Sequence, residues 1–98
     1  MEQPHDKIHY LALAIAYQIE RIGVPNKENI VPLRRLIEDL KKLAPHLSST
    51  DQKAIALIDE SVREIERMLE KGEEISLHTF AILNKRIVLL QLSLEKLS

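Results

Sequence analysis

The chain has 98 residues, a formal net charge of −1 and no cysteine. This length suits one domain, so we expect residues 1–98 to form a single unit. The near-zero charge gives no overall field that would hold nucleic acid or an anionic membrane surface. The absence of cysteine excludes disulfides, thiolate nucleophiles and cysteine-ligated zinc, and it is compatible with the cytoplasmic location that we expect.

The first predicted helix spans residues 4–22. Pro4 suits the first turn of a helix, and Gly23 followed by Pro25 is typical of a helix end. Residues 10–17 are eight consecutive apolar residues. This run is too short to cross a bilayer, which needs about 20 residues. It also lacks the basic start and the later cleavage site of a signal peptide, so we expect no contact with a membrane.

Helix 1 carries apolar residues on two opposite faces. At 100° per residue, one face holds Ile8, Ala12, Ile15, Ile19 and Ile22. Tyr10, Leu13 and Tyr17 lie roughly opposite. A helix on the surface of a small protein needs one apolar face to dock on its core. The second face therefore predicts a further surface that covers it.

Helices 2 and 3 are each predicted to have one apolar face. Helix 2 is expected at residues 30–43, starting near Asn29, with Pro32 in its first turn and Pro45 beyond its end. Helix 3 is expected at residues 49–71, with Ser48 or Ser49 as the N-cap and Asp51 or Gln52 completing a capping box. The predicted core residues of these two helices are Ile30, Leu33, Ile37, Leu40, Ile55, Ile58, Val62, Ile65 and Leu69.

Helix 4 repeats the double-faced pattern of helix 1. It is predicted at residues 77–97, after Ser76, with Ile75 and Phe80 placed as a hydrophobic staple. Its core face holds Phe80, Leu83, Ile87, Leu90, Leu94 and Leu97. A second apolar set on the back holds Ile82, Val88, Leu89 and Leu92.

Four helices with short connections predict an all-α protein, a single-domain antiparallel bundle with up-down-up-down order. The first and fourth helices are adjacent in such a bundle, so their extra faces would form one continuous surface. We therefore expect a non-enzymatic module for protein–protein interaction or assembly, forming a homodimer or another homo-oligomer. The expected contact residues are Tyr10, Leu13, Tyr17, Ile82, Leu89 and Leu92.

Two alternatives from other functional classes remain open. His5 and His9 are four residues apart and project from one side of a helix, a spacing that can supply two metal ligands. The predicted topology brings His46 near them, which would make a metal sensor or a metal-dependent enzyme. The acidic residues of helix 3 are interpreted instead as a solvated, ion-paired face, because no second acidic motif faces them. We expect no cofactor.

The second alternative is a regulator associated with nucleic acid. Helix 2 carries Arg34, Arg35, Lys41 and Lys42, which are able to contact phosphates. Glu38 and Asp39 interrupt this basic set, and no aromatic residue lies among them for base stacking. The chain has no glycine-rich phosphate loop, nucleophile elbow or HExxH motif, so no enzyme activity is expected.

Overall fold

Four α-helices account for most of the chain, as the computed structural model describes it for residues 4–22 and 26–95. They are α1 (Pro4–Ile22), α2 (Ile30–Leu43), α3 (Ser49–Glu70) and α4 (Leu77–Glu95), with a 3-10 turn at Ala44–His46 after α2. The described residues contain no strand, which confirms the all-α prediction. The predicted ends of α1 and α2 match, and α3 ends one residue early. The predicted end of α4 at residue 97 lies outside the described residues.

The helices pack into one compact globule around an aliphatic core. α1 contacts α2 and α4, and α3 contacts the same two helices. The radius of gyration is 13.2 Å, close to the value of about 13 Å for a compact chain of 100 residues. The core residues are buried aliphatic side chains: Leu11, Ala12, Ile15, Ile30, Leu33, Ile37, Leu40, Ile55, Ile58, Val62, Ile65, Leu83, Ile87 and Leu90.

The turn before α2 is capped by Asn26 rather than by Asn29. The side-chain oxygen of Asn26 accepts hydrogen bonds from the backbone N–H groups of Glu28 and Asn29, at 2.9 and 2.8 Å. The side chain of Asn29 in turn accepts from the backbone N–H of Asn26 at 2.6 Å. This is the reciprocal pattern of a capping box, built from two asparagines. The capped turn therefore begins at Asn26, ahead of the predicted helix start near Asn29.

Serine hydroxyls cap the N-termini of α3 and α4. Ser48 accepts from the backbone N–H of Asp51 at 3.2 Å, which confirms Ser48 as the N-cap of α3. The carboxylate of Asp51 does not complete the predicted box, because it is buried and accepts a hydrogen bond from the Ser93 hydroxyl. At the start of α4, Ser76 accepts from the backbone N–H of Thr79 at 3.1 Å. The predicted staple residues beside Ser76 are both partly buried against the core.

Gly72 ends α3 with a left-handed backbone. Its φ is 70°, and no other residue that the structure describes has a positive φ. The Gly72 N–H donates to the Leu69 carbonyl at 3.2 Å, and the Glu73 N–H donates to the Met68 carbonyl at 2.9 Å. These two bonds form a Schellman motif, which satisfies the last carbonyls of the helix.

We expect Gly72→Ala to lower the free energy of unfolding by about 1 kcal/mol, because a side chain disfavours the left-handed region. A Cβ at this position meets no atom within 4 Å, so the loss comes from the backbone alone. Urea denaturation followed by circular dichroism measures it. Gly72→Asn is the matched control and should lose less, since asparagine tolerates this conformation. Equal stability of Gly72→Ala and the natural chain would contradict the assignment.

Candidate functional site

The outer face of α1 is apolar and faces solvent. Tyr10, Leu13 and Tyr17, which we call the α1 row, are 70%, 48% and 57% exposed. They lie opposite Ile15, which is buried in the core. The guanidinium of Arg21 lies over the ring of Tyr17, 5.5 Å from its centroid. This cation–π contact covers only part of one ring.

Lys7, one turn before Tyr10, marks the side of α1 that borders α2. It lines a hollow together with Asp39 and Leu43, near the end of α2. Tyr10 and Tyr17 lie farther around the helix, nearly opposite the buried Ile15. The surface that both tyrosines were predicted to share with α4 stays a prediction.

The outer face of α4 is the second exposed apolar surface. Val88, Leu89 and Leu92, which we call the α4 row, are between 42% and 54% exposed. Ile82 is only half-buried and lines a cavity between α3 and α4, of about 220 Å³, with Ser61, Thr79 and other residues. Ile82 and Leu89 are seven residues apart and share one side of the helix. Leu89, at one edge of the α4 row, therefore lies toward α3, while Val88 and Leu92 lie farther from α3.

Three hydrogen bonds, at two places along the helices, fix how α3 and α4 lie against each other. Near one end of the pair, the Ser93 hydroxyl donates to Asp51 Oδ1 at 2.6 Å. Near the middle, Arg86 Nη1 donates to the Leu57 carbonyl at 2.8 Å and to Ser61 Oγ at 2.6 Å. Leu57 lies between Asp51 and Ser61 along α3, so it is level with the turn of α4 that contains Leu89.

Leu57 is an exposed apolar residue that the sequence analysis did not identify. Its side chain is 43% exposed. Of the four residues three or four positions away, Lys53 and Glu60 are charged and exposed, whereas Ala54 is partly buried and Ser61 is buried. The signal for this residue in the sequence was a single leucine between charged residues. One residue is too little for an amphipathic pattern, so the periodicity of α3 predicted one apolar face only.

An ionic network joins α2 to α3. Arg34 Nη1 lies 2.5 Å from Asp59 Oδ1, and Arg34 Nε donates to Glu66 Oε2 at 3.2 Å. Lys41 Nζ and Arg63 Nε lie 3.6 and 2.9 Å from Asp59 Oδ2. The acidic face of α3 was interpreted as solvated and ion-paired. Asp59 and Glu66 are ion-paired, with Arg34 across the helix boundary, but Asp59 is buried rather than solvated.

The network lowers the pKa of Asp59. Burial alone would raise the pKa of this carboxyl, but the hydrogen bond from Arg34 and the positive charges of Arg34, Lys41 and Arg63 together hold it below its ordinary value. The pKa of Arg34 is raised, chiefly by its hydrogen bond to Glu66. Asp59 therefore stabilises the fold as a carboxylate.

The basic residues of α2 are divided by this network. Arg34 and Lys41 are engaged with carboxylates, while Arg35 and Lys42 are exposed. Lys42 Nζ lies 3.9 Å from Asp39 Oδ1. Two of the four proposed phosphate contacts are thus already occupied within the protein. This arrangement does not favour binding of nucleic acid.

The alternative of a metal site depends on His5, His9 and His46. The structure does not describe the side chains of His5 and His9. His46 is exposed in the 3-10 turn after α2. Among the side chains that the structure describes, no three histidine, aspartate or glutamate residues group closely enough to hold a metal ion.

No protein-family model, curated protein or solved structure matches this chain. Within residues 4–22 and 26–95, none of the helices has both the length and the hydrophobicity to cross a bilayer.

We expect Asp59→Asn to destabilise the protein at pH 7, on the order of 2 kcal/mol, because a buried charged hydrogen bond is weakened. The folded-state pKa of Asp59 is lowered. Its stabilisation is therefore complete well above the unfolded-state pKa of about 3.9, and is lost as the pH falls toward the lower folded-state pKa. The difference between variant and natural chain should shrink below about pH 4. Urea denaturation at pH 7, 5 and 3 measures this.

Asp39→Asn is the control for the Asp59 variant. Asp39 is 57% exposed in its side chain, and its pair with Lys42 is long, at 3.9 Å. Exposed pairs contribute at most about 1 kcal/mol, so this variant should stay close to the natural chain at every pH. A stability difference for Asp59→Asn that is the same at pH 7 and pH 3 would contradict the role of its charge.

Proposed function

We propose that the protein is a non-enzymatic helical assembly module that associates with further copies of itself. The contacts are made through the α1 row and the α4 row, with Ile82 at the edge of the latter. The observation that carries the proposal is the exposure of large apolar side chains on two helices whose opposite faces already fill the core. Soluble proteins seldom leave such contiguous apolar surface uncovered.

The exposed area supports a second copy as the occupant. Two tyrosines and four aliphatic side chains, each roughly half exposed, present on the order of 500 Å² of apolar surface. A standard interface buries about 800 Å² on each partner, of which about two-thirds is apolar in homodimers. The two rows together therefore present about as much apolar surface as one such interface contains, whether it is buried in one contact or divided between two. The tyrosines add large side chains with few rotatable bonds.

We also propose that the helices form a single-domain antiparallel bundle with up-down-up-down order. Arg34 near the start of α2 contacts Glu66 toward the end of α3, while Lys41 toward the end of α2 lies beside Asp59. Asp51 and Ser93 pair the start of α3 with the end of α4. Each of these pairs supports neighbouring helices that run in opposite directions.

The remaining parts of the proposal concern chemistry and location. The module needs no catalytic residue and no cofactor, because its activity is the packing of helices against helices. We propose a cytoplasmic location, for which the absence of cysteine is the supporting feature. A reducing compartment places no constraint on such a chain.

We expect Tyr17→Glu and Leu89→Glu each to lower the average molecular mass of the protein at a given concentration. A carboxylate buried in a contact between copies must lose its water without gaining a partner. Sedimentation equilibrium over a range of concentrations measures the mass. Both positions are exposed in the single chain, so helicity by circular dichroism should be unchanged.

Val31→Glu is the matched control. Val31 is 45% exposed and lies in the first turn of α2, outside both rows. Its replacement should leave the average mass unchanged. A natural chain that remains monomeric up to about 1 mM, the limit of weak specific association, would refute self-association.

A further inference from the structure

The outer surface of α3 has a charge pattern that is complementary to itself. Lys53, Leu57 and Glu60, which we call the α3 row, follow in steps of four and three residues and so lie along one side of the helix. All three side chains are exposed. The basic residue comes before the leucine and the acidic residue after it. A copy of this row turned by 180° about Leu57 places each lysine opposite a glutamate.

The distances along the helix fit this pairing. At 1.5 Å per residue, Lys53 lies about 6 Å on one side of Leu57, and Glu60 lies about 4.5 Å on the other. Two antiparallel copies of the row therefore bring the lysine of one within about 1.5 Å, along the axis, of the glutamate of the other. Within the described part of the chain, neither Lys53 nor Glu60 has an ion-pair partner. Both charges are available to a second copy.

The apolar part of this surface is continuous with the α4 row. Leu57 is level with Leu89, because the contacts of Asp51 with Ser93 and of Ser61 with Arg86 fix the two helices in register. Arg86 also binds the carbonyl of Leu57 itself, which holds this turn of α3 against α4. The leucines thus lie side by side on one outer face, with the charges of the α3 row beside them.

We infer that the face formed by the α3 row and Leu89 is a two-fold symmetric contact between two copies of this chain. The inference rests on the proposed self-association and deepens it, by adding α3 to the contact and placing the symmetry axis near Leu57. Because α3 packs against α2 and α4, the α1 row lies across the bundle from the α3 row, outside this contact, and makes a separate one. In symmetric contacts, residues near the axis meet their own copies.

Cysteine cross-linking tests the position of the axis, since the natural chain has no cysteine. We expect Leu57→Cys to form a disulfide-linked dimer under mild oxidation about tenfold faster than Val31→Cys, because the contact raises the local thiol concentration. Val31 matches Leu57 in exposure, at 45% against 43%. The cross-link should persist when Tyr17→Glu is added. Equal rates for Leu57→Cys and Val31→Cys would overturn the inference.

A charge reversal tests the pairing of lysine with glutamate. In the Tyr17→Glu background, Lys53→Glu should raise the dissociation constant about tenfold, because it places like charges opposite each other at two symmetric positions. Adding Glu60→Lys should restore the original constant. Failure of this restoration would overturn the inference.

The two proposals fail in different ways. A natural chain that stays monomeric to about 1 mM refutes self-association and this contact together. If Tyr17→Glu abolishes self-association and no change in the α3 row affects it, this contact is refuted. The proposed function then still stands.

Discussion

A ring of four helices buries one face of each helix, and the remaining features of this protein depend on that constraint. The aliphatic core takes up the inner faces of all four helices. In α2 and α3 the opposite faces are mainly charged, so solvent covers them. In α1 and α4 the opposite faces hold tyrosine, leucine and valine. Four helices in a ring enclose only one core, so these side chains remain at the surface. The candidate contacts therefore follow from the same packing that stabilises the fold.

Polar contacts at the helix boundaries supply what an aliphatic core lacks, which is a unique register. Aliphatic side chains tolerate several arrangements of similar total volume, so packing alone specifies the register less sharply than paired polar groups do. Arg34 with its two carboxylates positions α2 on α3, and Arg86 with the Leu57 carbonyl positions α3 on α4. A slip along either boundary would leave buried polar atoms without partners, which is costly.

The fold was largely predictable from the sequence, because helix caps and apolar periodicity act over a few residues. Ser48 caps α3 and α4 begins after Ser76, as predicted. Asn26 was missed, since a pair of asparagines is a rarer capping box than serine with glutamate. Asp51 and Asp59 were misjudged for one shared reason. Whether an acidic residue faces solvent or a neighbouring helix depends on partners such as Ser93 and Arg34, which are distant in sequence.

The candidate surface shows the same limit more sharply. A helical wheel correctly separates inner from outer residues, so it identifies Tyr17 and Leu89 as outward-facing. It does not say toward which neighbour an outward residue lies, and that determines which residues share one contact. Leu89 lies on the side of α4 toward α3, whereas Tyr17 lies on α1, which packs against α2 and α4. In the contact that we infer, Leu57 of α3 extends the surface around Leu89, and the charges beside Leu57 favour a second copy in antiparallel orientation.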